Sequence, residues 1–262
     1  MTSNLVIETL SAGGITTIRL NRPDQLNSLD VETKTHLLTD LQAAGADPEV
    51  RAVVITGTGA GFCAGQDLGE THAAPGGVHL GDLVRQQYNP IMRTVATMPK
   101  PVLAAINGTT AGAGLSLALA CDIRIATESA KFTTAFAGIG LSCDTGISWT
   151  LPRIIGRAAS LDLLLRPRVI DSAEALRLGL VHTVVNDESF TEAVGKAAAE
   201  LAVGPTLALA SIKAAVNLSS TAPLDGALEF EASLMTLTGE SRDHRTAVEA
   251  FLDKRKPVFE GF

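Results

Sequence analysis

Two short stretches could do chemistry with backbone groups alone. In Lys100–Asp122 an apolar run, Val102 to Ile106, is broken by Asn107-Gly108, and Gly112-Ala113-Gly114 then leads into apolar Leu115 to Ala120. Strand, small-residue turn and buried helix together aim free N–H groups at one point. The first amides of a helix have no internal partner, and the helix dipole adds partial positive charge there. Glycine and alanine let a ligand approach, so the turn could hold an anion, or an oxygen that becomes one. Phe62-Cys63-Ala64-Gly65-Gln66-Asp67 is a second turn of this kind, after the buried run Ala52 to Thr56. Two such turns could supply converging donors, the geometry of an oxyanion hole. Tight packing of a helix on a sheet uses the same small residues, and each turn alone fits that equally well.

Other chemistries find less support. Gly112-Ala113-Gly114 begins a dinucleotide fingerprint, but Leu117 stands where its last small residue belongs, and no Gly-Lys-Ser/Thr follows any glycine loop. The five histidines, at 36, 72, 79, 182 and 244, lack ligand spacing, so no metal is expected. His72 and His79 read as loop residues that could line a pocket, and Phe132, Phe136 and Trp149 as core or pocket wall. Cys63, Cys121 and Cys143 form no CxxC pair and read as free thiols of a reducing compartment. A net charge of -7 argues against a general nucleic-acid partner, though not against a local basic pocket for a phosphorylated cofactor. Neither a secretory signal nor a bilayer-length apolar run is visible, so a cytoplasmic protein with no membrane partner is expected.

The elements that must position these turns follow from pattern. Leu5–Leu10 and Ile15–Leu20 read as a hairpin, and Asp30 as the cap of a helix to about Ala44. His72 to Gly81 reads as a mobile loop, Asp82 to about Met98 as one helix, and Ile123–Ala126 and Lys131–Thr133 as short strands. Ala135 to Ser148 reads as loop, with helix from Trp149 to Ile155. Ser172–Leu178 is a helix stopped at Gly179, and from about Thr191 the chain is helical to about Lys254, with breaks at Gly204-Pro205 and near Pro223. The recurring strand-strand-helix order points to an α/β fold of stacked ββα turns.

Five segments resemble the crotonase, or enoyl-CoA hydratase/isomerase, family. They are Arg22-Pro-Asp-Gln-Leu-Asn-Ser-Leu29, Phe62–Asp67, Asn107–Gly114, Ala120-Cys-Asp122 and Phe251-Leu-Asp-Lys-Arg-Lys-Pro257. In order they cover essentially the whole chain. The resemblance implies a crotonase-like spiral of ββα units over residues 1–195 that binds acyl-CoA and performs catalysis. It also implies a helical C-terminal region, 196–262, for oligomerisation as a homotrimer or a dimer of trimers.

The resemblance further implies that the thioester oxygen sits between the backbone N–H groups of Gln66 and Ala113, and that CoA is held by Arg22, Leu26, Ala64, Gln66, Asp67, Leu68, Lys254 and Lys256. No cofactor is expected beyond the CoA moiety of the substrate. Hydratases of the family use two glutamates, at positions that here carry Ser116 and Phe136. Gly140-Leu-Ser-Cys-Asp144-Thr-Gly146 instead resembles the loop of family isomerases, including those of phenylacetyl-CoA ring epoxides, in which an aspartate moves the proton. Cys143 stands where those members usually carry proline. The expectation is an acyl-CoA isomerase with Asp144 as base. Phe136, Ile139, Leu141 and Trp149 should desolvate Asp144 and raise its pKa. The alternatives are hydration through a water held by Asp144, aryl-CoA dehalogenation with Asp144 as nucleophile, and acyl-CoA binding without turnover.

Overall fold

The computed structural model describes residues 6–73 and 79–262. Strands β1 (Ile7–Ala12) and β2 (Ile15–Leu20) form the hairpin, and the first strand runs two residues further than expected because the turn is only Gly13-Gly14, both with positive φ. Asp30 accepts a bond from the Thr33 amide and starts α1 (Val31–Ala46). Then follow β3 (Ala52–Gly57), β4 (Gly61–Cys63), α2 (Leu68–Ala73), α3 (Leu80–Leu83) and, after a π-helical turn over 84–88, α4 (Asn89–Thr97).

Next come β5 (Val102–Ile106), β6 (Thr109–Ala111), α5 (Ala113–Ala120), β7 (Ile123–Thr127) and β8 (Lys131–Thr133). The last core elements are α6 (Ile147–Ile155), α7 (Arg157–Leu165), β9 (Ile170–Asp171), α8 (Ser172–Leu178) and β10 (Thr183–Val185).

From β3 to β8, successive strands fall alternately into two sheets. One has the order β1-β2-β3-β5-β7-β10, parallel apart from the first hairpin, and the other β4-β6-β8-β9. This alternation is the expected ββα spiral. β3 and β5 are buried along their whole length, which is why Ala52–Gly57 and Val102–Ile106 are almost wholly apolar or small. The Asp122 carboxylate accepts from the Val102 amide and from Lys213 Nζ, both at 2.8 Å, tying the core to the C-terminal helices.

Several segments differ from the reading of the sequence. The 82–98 helix is two helices joined by the wider π turn, because Pro90 has no N–H to continue a regular ladder across the join. The proposed loop from His72 to Gly81 is helical at both ends, and its middle, 74–78, lies outside the described residues, as does the question of its mobility. Within 135–148, residues Phe136–Ile139 form a 3-10 turn, and α6 begins at Ile147, two residues early. Helix α7 and strand β9 were not expected.

The C-terminal helices are α9 (Phe190–Ala202), α10 (Thr206–Ser219), α11 (Leu224–Gly239) and α12 (Arg242–Leu252), broken at the expected Gly-Pro and Pro223 sites. Among the described residues no single helix is long and apolar enough to cross a membrane.

Candidate active site

The two glycine turns follow adjacent parallel strands, since β4 pairs with β6. Their ends therefore lie side by side. After β4, Gly65 takes φ +90°, and after β6, Gly112 takes φ +52°. A Cβ on Gly65 would lie 2.9 Å from Ala111 O and 3.2 Å from Ala113 N, and one on Gly114 would overlap Cys63 O at 2.1 Å. Only glycine permits this backbone-to-backbone approach.

Hydrogen bonds set the direction of each amide. Leu29 N donates to Gly65 O at 2.7 Å. C=O and N–H point in opposite directions across a trans peptide, so the Gln66 N–H faces away from Leu29. Gly112 O accepts from Ser116 N, so the Ala113 N–H leaves the N-terminus of α5. Among the described residues, neither amide has an acceptor. Both residues line one cavity of about 220 Å³.

Asp144 lines the same cavity and is the one carboxylate on its described wall. It sits on a sharp turn: Thr145 and Gly146 both have positive φ, and Asp144 O accepts from Ile147 N at the start of α6. Left-handed backbone at a β-branched threonine is strained by about 1–3 kcal/mol, which fixes where the aspartate points. Asp144 Oδ1 is buried with no hydrogen-bond partner. Burial raises the carboxyl above its ordinary pKa, and the Thr145 side chain opposes this only in part.

The remaining wall is largely apolar. Leu83, Val84 and Phe136 form its sides, while Ile139 and Leu141, both partly exposed, stand at the rim. Trp149 is a correction: it lines a separate cavity of about 440 Å³, with Thr145 and Gly146, and does not cover Asp144. The left-handed pair at 145–146 turns helix α6 so that Trp149 lies on that other side. Ser116 is buried in α5 and bonds Gly112 O, so of the two positions corresponding to hydratase glutamates only Phe136 reaches the cavity.

The residues expected to hold CoA are dispersed. Ala64 and Leu68 line the cavity beside Gln66. Arg22 bonds Asp67 at 2.8 Å, Asp30 at 3.3 Å and Ser28 O at 2.7 Å. Burial favours the neutral form of Asp67, but the Arg22 bond and the Gly69 and Glu70 amides outweigh it and hold the carboxyl below the usual range. Leu26, partly exposed, packs against Gly61. Lys254 and Lys256 are exposed beyond α12 and do not line the cavity. His79 is exposed, Phe132 is core, and the side chain of His72 lies outside the described residues.

Besides the wall residues Leu83 and Val84, Tyr88 and Lys34 escaped the sequence reading. Tyr88, fully buried, lines the cavity, and Lys34, only 2% exposed, reaches Gln66 from α1. The available signal was Lys34 itself, a charge in the buried stripe with Leu37, Leu41 and Ala44. Among the described residues no His, Cys, Asp and Glu group is arranged to hold a metal.

Comparison with known proteins places the chain among relatives of one family. The enoyl-CoA hydratase/isomerase family model matches residues 11–261. A 1,2-epoxyphenylacetyl-CoA isomerase from Escherichia coli is 43% identical over 95% of this chain and 95% of its own. A 4-chlorobenzoyl coenzyme A dehalogenase from Arthrobacter is 34% identical over 83% of this chain and 80% of its own. A solved structure of an enoyl-CoA hydratase/isomerase family member from Mycobacterium abscessus is 45% identical, with TM-score 0.91, covering 97% of this chain and 98% of that one.

Proposed function

The chain belongs to the enoyl-CoA hydratase/isomerase family, and we propose that it is an acyl-CoA isomerase in which Asp144 moves a proton between acyl carbons. The observation that carries the reading is the single cavity shared by two unpartnered amides and one half-buried carboxylate. The Gln66 and Ala113 N–H groups would receive the thioester oxygen as it becomes an enolate. One such donor contributes roughly 3–4 kcal/mol in other enzymes. Taking a proton from one carbon and returning it to another needs one base, whereas hydration also needs a positioned water. With serine and phenylalanine at the two glutamate positions, isomerisation is the better match.

The largely apolar walls suit a compact apolar or cyclic acyl group. A ring-epoxide acyl-CoA, the substrate class in the name of the Escherichia coli relative, is the first to test. CoA would run past Ala64 and Leu68 toward Arg22, Leu26 and Asp67, with Lys254 and Lys256 as phosphate partners. Helix α11 has no buried residue and exposes Leu224, Leu228 and Met235, which fits assembly into a homotrimer or dimer of trimers. Three free cysteines fit a cytoplasmic setting.

The test is solvent-deuterium exchange across straight-chain, aryl and epoxide acyl-CoAs. The enzyme should exchange protons at the acyl carbons of its substrate, and Asp144→Asn should bind the same thioester without exchange. An active Asp144→Asn enzyme would overturn the assignment, and binding without exchange by the unaltered chain would make it a non-catalytic binder. The dehalogenase relative favours one rival, with Asp144 as nucleophile. A trapped aryl-aspartyl ester would establish that chemistry instead, and a 3-hydroxy product from crotonyl-CoA would establish hydration.

A further inference from the structure

The Gln66 side chain points into a buried network that the proton chemistry does not use. Lys34 Nζ donates to Gln66 Oε1 at 2.9 Å and Tyr88 Oη donates to the same oxygen at 2.7 Å. Ammonium only donates, so the atom facing Lys34 must be the amide oxygen, and the amide nitrogen must face the other way. There Nε2 donates to Asp67 O at 3.0 Å and to Glu70 Oε2 at 3.4 Å. Both hydrogens and both lone pairs of the carboxamide are thereby used.

The donors arrive from different parts of the chain. Lys34 lies in the buried stripe of α1, and Tyr88 ends the π turn before α4. Both are almost fully buried, and the ammonium stands 4.9 Å from the centre of the Tyr88 ring. Glu70, 4.0 Å from Lys34, also accepts from the Val31 amide at 2.9 Å, joining α2 to the start of α1. A buried lysine with no role would be costly to keep desolvated. With Glu70 as its counter-charge, this one makes its hydrogen bond to the amide oxygen of the residue whose backbone N–H faces the cavity.

We infer that Lys34 and Tyr88 are positioning residues: by gripping the Gln66 carboxamide from behind, they hold the Gln66 N–H in register with that of Ala113. The inference rests on the proposed reading of those amides as the thioester's donors. Leu29 already fixes the flanking peptide groups, through its bonds with Gly65 O and Asp67 N. What the side-chain network adds is resistance to rotation when charge develops on the bound oxygen. Small misplacements of a preorganised donor are expensive, so its loss should fall on turnover more than on binding.

The experiment uses Lys34→Met, Tyr88→Phe and Gln66→Met in the full chain. Each is read by kcat and KM on the accepted acyl-CoA, and by the absorption shift of a bound aryl-acryloyl-CoA. That chromophore moves to the red when its thioester carbonyl is polarised, and it needs no turnover. Lys34→Met should lower kcat roughly 10- to 100-fold with KM nearly unchanged and should shrink the red shift. Tyr88→Phe, the milder change, should act in the same direction. In the Gln66→Met background, adding Lys34→Met should cost little more. Full kcat and an undiminished red shift in folded Lys34→Met or Tyr88→Phe would overturn the inference while leaving the two-amide hole intact. No red shift even in the unaltered chain would overturn the hole itself, and this inference with it.

Discussion

Gly65 and Ala113 stand so close that a single methyl group on Gly65 would come within 3.2 Å of the Ala113 nitrogen. The contact joins loops 48 residues apart, and the parallel pairing of β4 with β6 produces it. It is the reason two backbone amides from distant segments open on one cavity.

Gly65→Ala tests that closeness. Alanine would be strained at φ +90°, and its Cβ would meet Ala111 O at 2.9 Å, so the first turn must retreat from the second. Losing one properly placed donor costs roughly 100- to 1,000-fold in kcat elsewhere. We expect a fall of that order in turnover, a much smaller change in acyl-CoA affinity, and a folded protein by circular dichroism. Unchanged turnover would mean that the two turns need not touch.

The pH profile should report Asp144. A base must be ionised in the free enzyme, and burial places its pKa above the ordinary carboxylate value. The acid limb of kcat/KM should therefore fall at a higher pH than for an exposed aspartate, with activity gained as pH rises through it. An acid limb at the ordinary aspartate value would mean that Asp144 is solvated when it acts.

The spiral and its two turns were legible because strand, small residue and helix succeed one another locally, while the choice of Gln66 and Ala113 within those turns came from the family resemblance. Asp144 was legible as a residue, but its surroundings were not. Which side chains face it depends on the left-handed pair Thr145-Gly146, and that pair sends Trp149 elsewhere. Lys34 was hidden for another reason. A lysine among leucines on a helix reads as a polar edge, and only the arrival of Gln66 and Tyr88 from other elements makes it interior. The π turn before Pro90 was hidden because the apolar period runs on through it.

Thiol reactivity should separate the cysteines. Cys63 and Cys121 are fully buried, and burial pushes both thiols up to about 12. Cys143 is only half-buried. A native titration with an aromatic disulfide at pH 8 should label at most Cys143, and unfolding in guanidinium should release all three thiols. Rapid native labelling of Cys63 would show that the strand beneath the first turn opens readily.

Asp144→Asn should also stabilise the fold, and the pH dependence gives the sign. The folded-state pKa of Asp144 is raised above its unfolded value, so the ionised carboxylate opposes folding at neutral pH. That cost is absent below the unfolded pKa, where the group is protonated in both states, and grows as pH rises to the folded pKa. Asparagine keeps the shape without the charge. Because the carboxylate is partly exposed and screened, the gain at pH 8 should be modest and should shrink toward zero near pH 3. Denaturant midpoints of both proteins at the two pH values measure it. A variant that is less stable at pH 8 would mean that the buried oxygen of Asp144 has a stabilising partner, and that the carboxylate is not held ready for a substrate proton.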